Sequence, residues 1–204
     1  PYPPLPPNKD VPPITTAANS NATPQNQYLH ISTPSITPVN VEVNDLGNVI
    51  SNYTVSNANP LEIYVGFGDN TSFVVPSSNI ESEISNKGFI IQSEKPVYVS
   101  LRLVAGNQNQ AGSLVSKGLS GLGNVFRIGT FTNLKNFTSS NQDFINFVSV
   151  MATENNTQID FSDLPSDIVI ENSIPLMGVL NAGESKIIAL NPAITPSNLS
   201  LIHI

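Results

Sequence analysis

The stretch VNVEVNDLGNVISNYTV, residues 39–55, decides the fold class. Val39, Val41 and Val43 alternate with Asn40, Glu42 and Asn44, giving one apolar and one polar face, the pattern of a half-buried strand. Asp45-Leu46-Gly47-Asn48 is turn chemistry, and residues 49–55 then form the returning strand of a hairpin. The same period recurs outward from this hairpin. Leu61, Ile63, Val65 and Phe67 are expected on one face of the next strand, with Glu62 and Tyr64 opposite. Gly68-Asp69-Asn70 turns the chain into a strand at 72–75. Strands at 88–92 and 97–104 follow, split by Ser93-Glu94-Lys95-Pro96; in the second, Val97, Val99, Leu101 and Leu103 share a face. Further strands are expected at 125–132, 144–152, 157–161, 167–171, 176–180 and 185–190, with 201–204 as a last apolar strand. No segment carries an apolar stripe of 3.6-residue period long enough for a helix. Short strands punctuated by turn residues predict an all-β protein of antiparallel, β-sandwich-like repeats with negligible helix; an incomplete propeller-like meander is the alternative.

Composition agrees and excludes several functions. Charged residues are 11% of the 204, against roughly 25% in ordinary soluble domains. Asn takes their place and, at 26 copies, is the commonest residue. With Ser, Thr and Val it favours turns and half-buried strands. A net charge of -7 offers no basic surface for phosphates, which excludes a nucleic-acid partner. The absence of cysteine excludes disulfides, zinc-thiolate and iron–sulfur sites, and a cysteine nucleophile.

Four regions follow. The first 13 residues hold seven of the 17 prolines. Each fixes φ and lacks a donor, so residues 1–27 read as an extended, polyproline-like arm serving as a spacer. Residues 28–106 form a first β repeat, 107–123 a Gly/Ser-rich connection and 124–204 a second repeat. The plan of 72–91 is echoed by 176–204, which ends before an equivalent of Ser93-Glu94-Lys95-Pro96. The second repeat therefore reads as incomplete at its C-terminal end.

Candidate chemistry is sparse. A nucleophilic triad would need His30 or His203, yet each lies in an apolar strand context without a G-x-S-x-G elbow. Asp160, Asp163 and Asp167, preceded by Glu154-Asn155-Asn156, offer oxygen ligands for calcium. They lack the EF-hand spacing, and turn capping explains them. Glu154-Asn155-Asn156-Thr157 is expected to be a tight structural turn with a left-handed residue. Glu62, Glu81, Glu83 and Glu171 show no arrangement that pairs them as glycosidase carboxylates. The loop LSGLGN, residues 119–124, lacks the Lys of a phosphate loop. Six N-x-[ST] sequons, beginning at Asn21, Asn52, Asn70, Asn136, Asn155 and Asn198, are expected by chance in so Asn-rich a chain. No catalytic, cofactor-binding or metal-binding residue is assigned, and no cofactor.

Four stretches carry a resemblance: QYLHISTPSITPVNV (27–41), NKGFIIQSEKPVYVSLRLVAG (86–106), GNVFRIGTFTN (123–133) and NFVSVMATENNTQIDF (146–161). With the A-G-E-S turn at Ala182-Gly183-Glu184-Ser185, they resemble, in order, the IgGFc-binding protein N-terminal domain family. The version meant is that at the start of large gliding-motility-associated surface proteins of Bacteroidota. The resemblance implies a non-enzymatic adhesion module on the outside of a bacterial cell, exported by the type IX secretion system. It implies as partners the remaining domains of a long chain, secretion or gliding machinery, and surface glycans or proteins. A carbohydrate-binding β-sandwich module is the alternative, with exposed aromatic rings stacking on sugars.

Overall fold

The computed structural model describes residues 1–6, 24–79, 82–105, 110–129, 146–161, 168–170, 176–192 and 201–203. Its strands are β1 (Pro24–Ser32), β2 (Val39–Asp45), β3 (Ile50–Val55), β4 (Leu61–Phe67), β5 (Glu83–Ile84), β6 (Phe89–Ser93), β7 (Tyr98–Ala105), β8 (Gln110–Val115), β9 (Arg127–Gly129), β10 (Asn146–Met151), β11 (Thr157–Asp160), β12 (Ile168–Ile170), β13 (Met177–Leu180), β14 (Ser185–Pro192) and β15 (Leu201–His203). Among the described residues the only helical pieces are two 3-10 turns, Ser77–Asn79 and Gly118–Gly121. The protein is all-β, and among the described residues every pairing of these strands is antiparallel.

The 39–55 hairpin forms as its alternation requires. Val39 lies opposite Val55 and Val43 opposite Ser51, and β6 pairs along the other edge of β2. Val39, Val41 and Val43 are all buried. This three-stranded sheet, β3-β2-β6, faces a four-stranded sheet ordered β4-β1-β7-β8. Leu29 and Ile31 of β1 and Val99 and Leu101 of β7 meet the valines of β2, with Phe73 and Phe89, in one core. The architecture here is a sandwich of two open sheets. Apolar side chains from both inner faces leave water together, and each fully buried Leu, Ile or Phe contributes about 1.5–3 kcal/mol.

The second half is built on β10-β14-β12, with β11-β13 and β15-β9 as two-stranded pairs. Val148, Ile159, Phe161, Leu180 and Ile188 form its core. The halves are stitched together by β5, which pairs with β14 on the edge opposite β10. Val75, Ile84 and Ile187 pack across that seam. The last strand, β15, has β9 as its partner.

Expectations change at the arm, at residues 72–75, at the boundary at 107 and at Phe67. The arm is extended at residues 1–6, as proline dictates, but this part is no spacer. Tyr2 is only 4% exposed and exchanges two backbone hydrogen bonds with Phe89 (2.7 and 3.0 Å). The amide of Leu5 donates to the carbonyl of Phe73, and its own carbonyl accepts from Val75. Residues 72–75, expected as a strand, instead meet this arm through a bridge between Leu5 and Val74. Gly88 makes room for it at φ 103, since a Cβ there would lie 2.5 Å from the carbonyl oxygen of Tyr2. Residues 7–23 lie outside the described residues.

The boundary at 107 also moves. Gln110–Val115, read as connection, is the strand β8, because its backbone satisfies the free edge of β7 in continuous register from Ser100–Val115 to Ala105–Gln110.

The last change concerns Phe67, expected inward but 51% exposed. Tyr28 is opposite Tyr64, whereas Gln27 is opposite Gly66. The extra residue, Val65, is a bulge that reverses the alternation, so Val65 and Gly66 both face in and Phe67 faces out. A buried amide locks this geometry. The Nε2 of Gln27 donates to the Gly68 carbonyl (2.7 Å), and its Oε1 accepts from the Thr71 hydroxyl (2.6 Å). Thr71 Oγ1 in turn accepts from the amides of Phe73 and Val74. Each polar atom is satisfied, which allows the group to sit in the core.

Candidate binding face

Strand alternation sends every second residue of β4, β1, β7 and β8 to the side away from the core. Cross-strand register then assembles rows from distant parts of the chain. Tyr64, Tyr28, Arg102 and Ser113 make one row; Glu62, His30, Ser100 and Val115 make the next. Ser32 and Tyr98 form a third, and Phe67 with Asn26 lies beyond the first. This outward face carries aromatic rings interleaved with hydrogen-bonding groups.

The rings are presented to solvent. Tyr64 is 56% exposed and Tyr98 67%. The rings of Tyr28 and Tyr64 lie 5.5 Å apart between centroids, tilted by 58°, and Tyr28 is 6.2 Å from the imidazole of His30. The Tyr64 hydroxyl donates to Asn26 Oδ1 at 3.4 Å. The His30 Nδ1 lies 3.5 Å from Glu62 Oε2. By contrast Tyr2 belongs to the core: its hydroxyl donates to the Val99 carbonyl (2.6 Å) and accepts from the Ser116 amide (2.7 Å).

Glu62, His30 and Ser100 have the residue types of a triad and share one row. They lack its geometry. Ser100 has no hydrogen bond to the imidazole, and β7 is paired on both edges, which commits its amides to the ladder. No backbone donors remain beside Ser100 to form an oxyanion hole. Glu62 and Glu83 stand in different sheets, on β4 and β5, while Glu81 and Glu171 lie outside the described residues.

The Asn-rich turn behaves as its chemistry requires. Asn156 is the only non-glycine residue at positive φ (57°) among the described residues, the conformation Asn tolerates best. The turn interlocks with residues 181–184. Asn155 Oδ1 accepts from the Ala182 amide (3.1 Å), Asn181 Oδ1 from the Asn156 amide (3.4 Å), and Glu184 Oε2 from the Asn181 amide (2.6 Å). The A-T-E-N-N-T and A-G-E-S motifs are thus two halves of one mutually capped structure, a pairing that spacing alone could not reveal. Asn155 Oδ1, Asn181 Oδ1 and Glu184 Oε2 are thus engaged with backbone donors. Among the described residues no three of His, Asp and Glu gather to hold a metal. Asp163 and Asp167 lie outside the described residues, as do Asn21, Asn136 and Asn198; nothing is described of the His203 side chain. Asn156→Ala is expected to cost about 1–2 kcal/mol, since a Cβ without the Asn amide pays the left-handed penalty, while Asn156→Gly should be near neutral. Thermal melts check both, and calcium should leave the melting temperature of the parent chain unchanged.

No family model, curated protein or solved structure matches the chain.

Proposed function

We propose that this chain is a non-enzymatic adhesion module, displayed outside a bacterial cell as part of a large surface protein exported by the type IX secretion system. The observation that supports it is the outward face of β4-β1-β7-β8, where Tyr64, Tyr98 and Phe67 are more than half exposed. A sandwich sheet facing water normally carries polar side chains, and aromatic rings with polar rims are the side chains that carry contact energy in recognition. The resemblance of the four stretches to the IgGFc-binding protein N-terminal domain family supports the cellular setting of this reading. Partners on this reading are the other domains of the parent chain, the secretion or gliding machinery, and a surface ligand.

The test uses intact cells of the bacterium that makes the protein. Antibody against this chain should label cells without permeabilisation, and purified chain added in excess should compete with cell attachment. Labelling only after permeabilisation would refute surface display, and attachment indifferent to the competitor would refute adhesion.

A further inference from the structure

We infer that the ligand of the outward face is a neutral oligosaccharide, held by stacking on Tyr64, Tyr28 and Tyr98 and by hydrogen bonds with Arg102, Glu62, His30 and Asn26. This rests on the adhesion reading and names its ligand class.

Size is the first argument. Four strands give a face about 14 Å wide, and the rows from Asn26 to Ser32 run about 20 Å, roughly 300 Å² in all. An oligosaccharide of a few units needs no more than the face offers.

Charge is the second. The face carries one guanidinium, Arg102, and one carboxylate, Glu62, on a chain of net charge -7. That balance provides no field to hold a phosphate or a sulfated polymer, and the whole chain repels one.

Chemistry is the third. A pyranose has C–H groups that lie against an aromatic face and vicinal hydroxyls around its edge. The guanidinium presents parallel N–H donors and the carboxylate two acceptor oxygens, each matching a pair of adjacent hydroxyls. Arg102 and Tyr64 flank Tyr28 in one row, and Glu62 and His30 occupy the next. A sugar lying on the tyrosines therefore meets both kinds of polar partner at its edge. Tyr98 stands about 13 Å along the strands from the Tyr28 row, a separate platform for another unit of the same chain.

The experiment is an array of neutral and anionic oligosaccharides probed with labelled full chain, followed by calorimetric titration of the best neutral binder. The variants are Tyr64→Ala, Tyr98→Ala and Arg102→Ala, with Val179→Ala, exposed on β13, as the control. All four positions are solvent-facing, and matched circular dichroism and melting curves establish that the variants fold. The expected result is binding to neutral glycans, weakened tenfold or more by Tyr64→Ala and by Arg102→Ala, unchanged by Val179→Ala, and insensitive to salt. No neutral glycan bound, or only anionic ones bound with affinity lost in salt, overturns the inference. So does neutral binding that survives both Tyr64→Ala and Arg102→Ala. The two readings separate cleanly: a chain that competes for cell attachment through Tyr64 but binds no glycan keeps its adhesive role with a different ligand.

Discussion

Tyr2→Ala is expected to lower stability by about 3–5 kcal/mol, the range for removing a buried aromatic ring. The ring packs edge-on to Phe73 at 6.5 Å between centroids and lies among the buried residues of the sandwich. Its hydroxyl ties β7 to the segment after β8, through Val99 and Ser116. Tyr2→Phe keeps the ring and loses only those bonds, so about 1 kcal/mol is expected. Denaturant melts of the two variants separate packing from hydrogen bonding. Burial also pushes the Tyr2 phenol up to about 12, against a partial lowering by its bond from the Ser116 amide. The folded chain therefore holds this proton where the unfolded chain has lost it. The contribution is complete below pH 10 and disappears as pH rises from 10 towards 12. The difference in stability between the parent chain and Tyr2→Phe should shrink across that window.

Leu101→Ala should cost about 2–5 kcal/mol. Leu101 is fully buried on β7, which is flanked by β1 and β8. Tyr98→Ala, three residues earlier on the outward side, should change stability by no more than about 0.5 kcal/mol. Chemical denaturation of the pair tests the assignment of faces directly. Equal losses would mean that the sheet is covered on both sides.

How far the sequence goes is clear from these residues. The faces of β2 and β7 were legible, because Val39, Val41 and Val43, and Val99 and Leu101, repeat with the period of a pleated strand. The left-handed turn was legible too, since few residues other than Asn accept its backbone. What periodicity misses is whatever depends on distant parts of the chain. Tyr2 and Leu5 sit among prolines with no repeat to mark them, and only the arrival of Phe89 and Phe73 buries Tyr2 in the core and packs Leu5 against it. β8 reads as a linker because its Gly and Ser carry no alternation; its strand state comes from the ladder of β7. Phe67 fits the inward pattern by count, and the bulge at Val65, held by Gln27 and Thr71, turns it out.

The candidate face was the least legible feature. Tyr64 and Glu62 could be placed on the outer side of their strand, yet their neighbours Tyr28, His30 and Arg102 come from strands whose pairing no local pattern encodes. Composition offers Glu154, Asn155 and Asn156 as oxygen ligands, and the structure instead engages Asn155 and Asn156 with Ala182 and Asn181, and the Glu154 carbonyl with the Thr157 hydroxyl.

The measurement that tests the central claim most directly is attachment of chain-coated particles to the surface that the parent cells colonise, comparing the parent chain with a Tyr64→Ala/Tyr98→Ala double variant of equal melting temperature. If the outward face is the adhesive surface, attachment falls to about a tenth or less, as expected when exposed aromatic anchors are removed. Attachment equal to that of the parent chain would contradict the account.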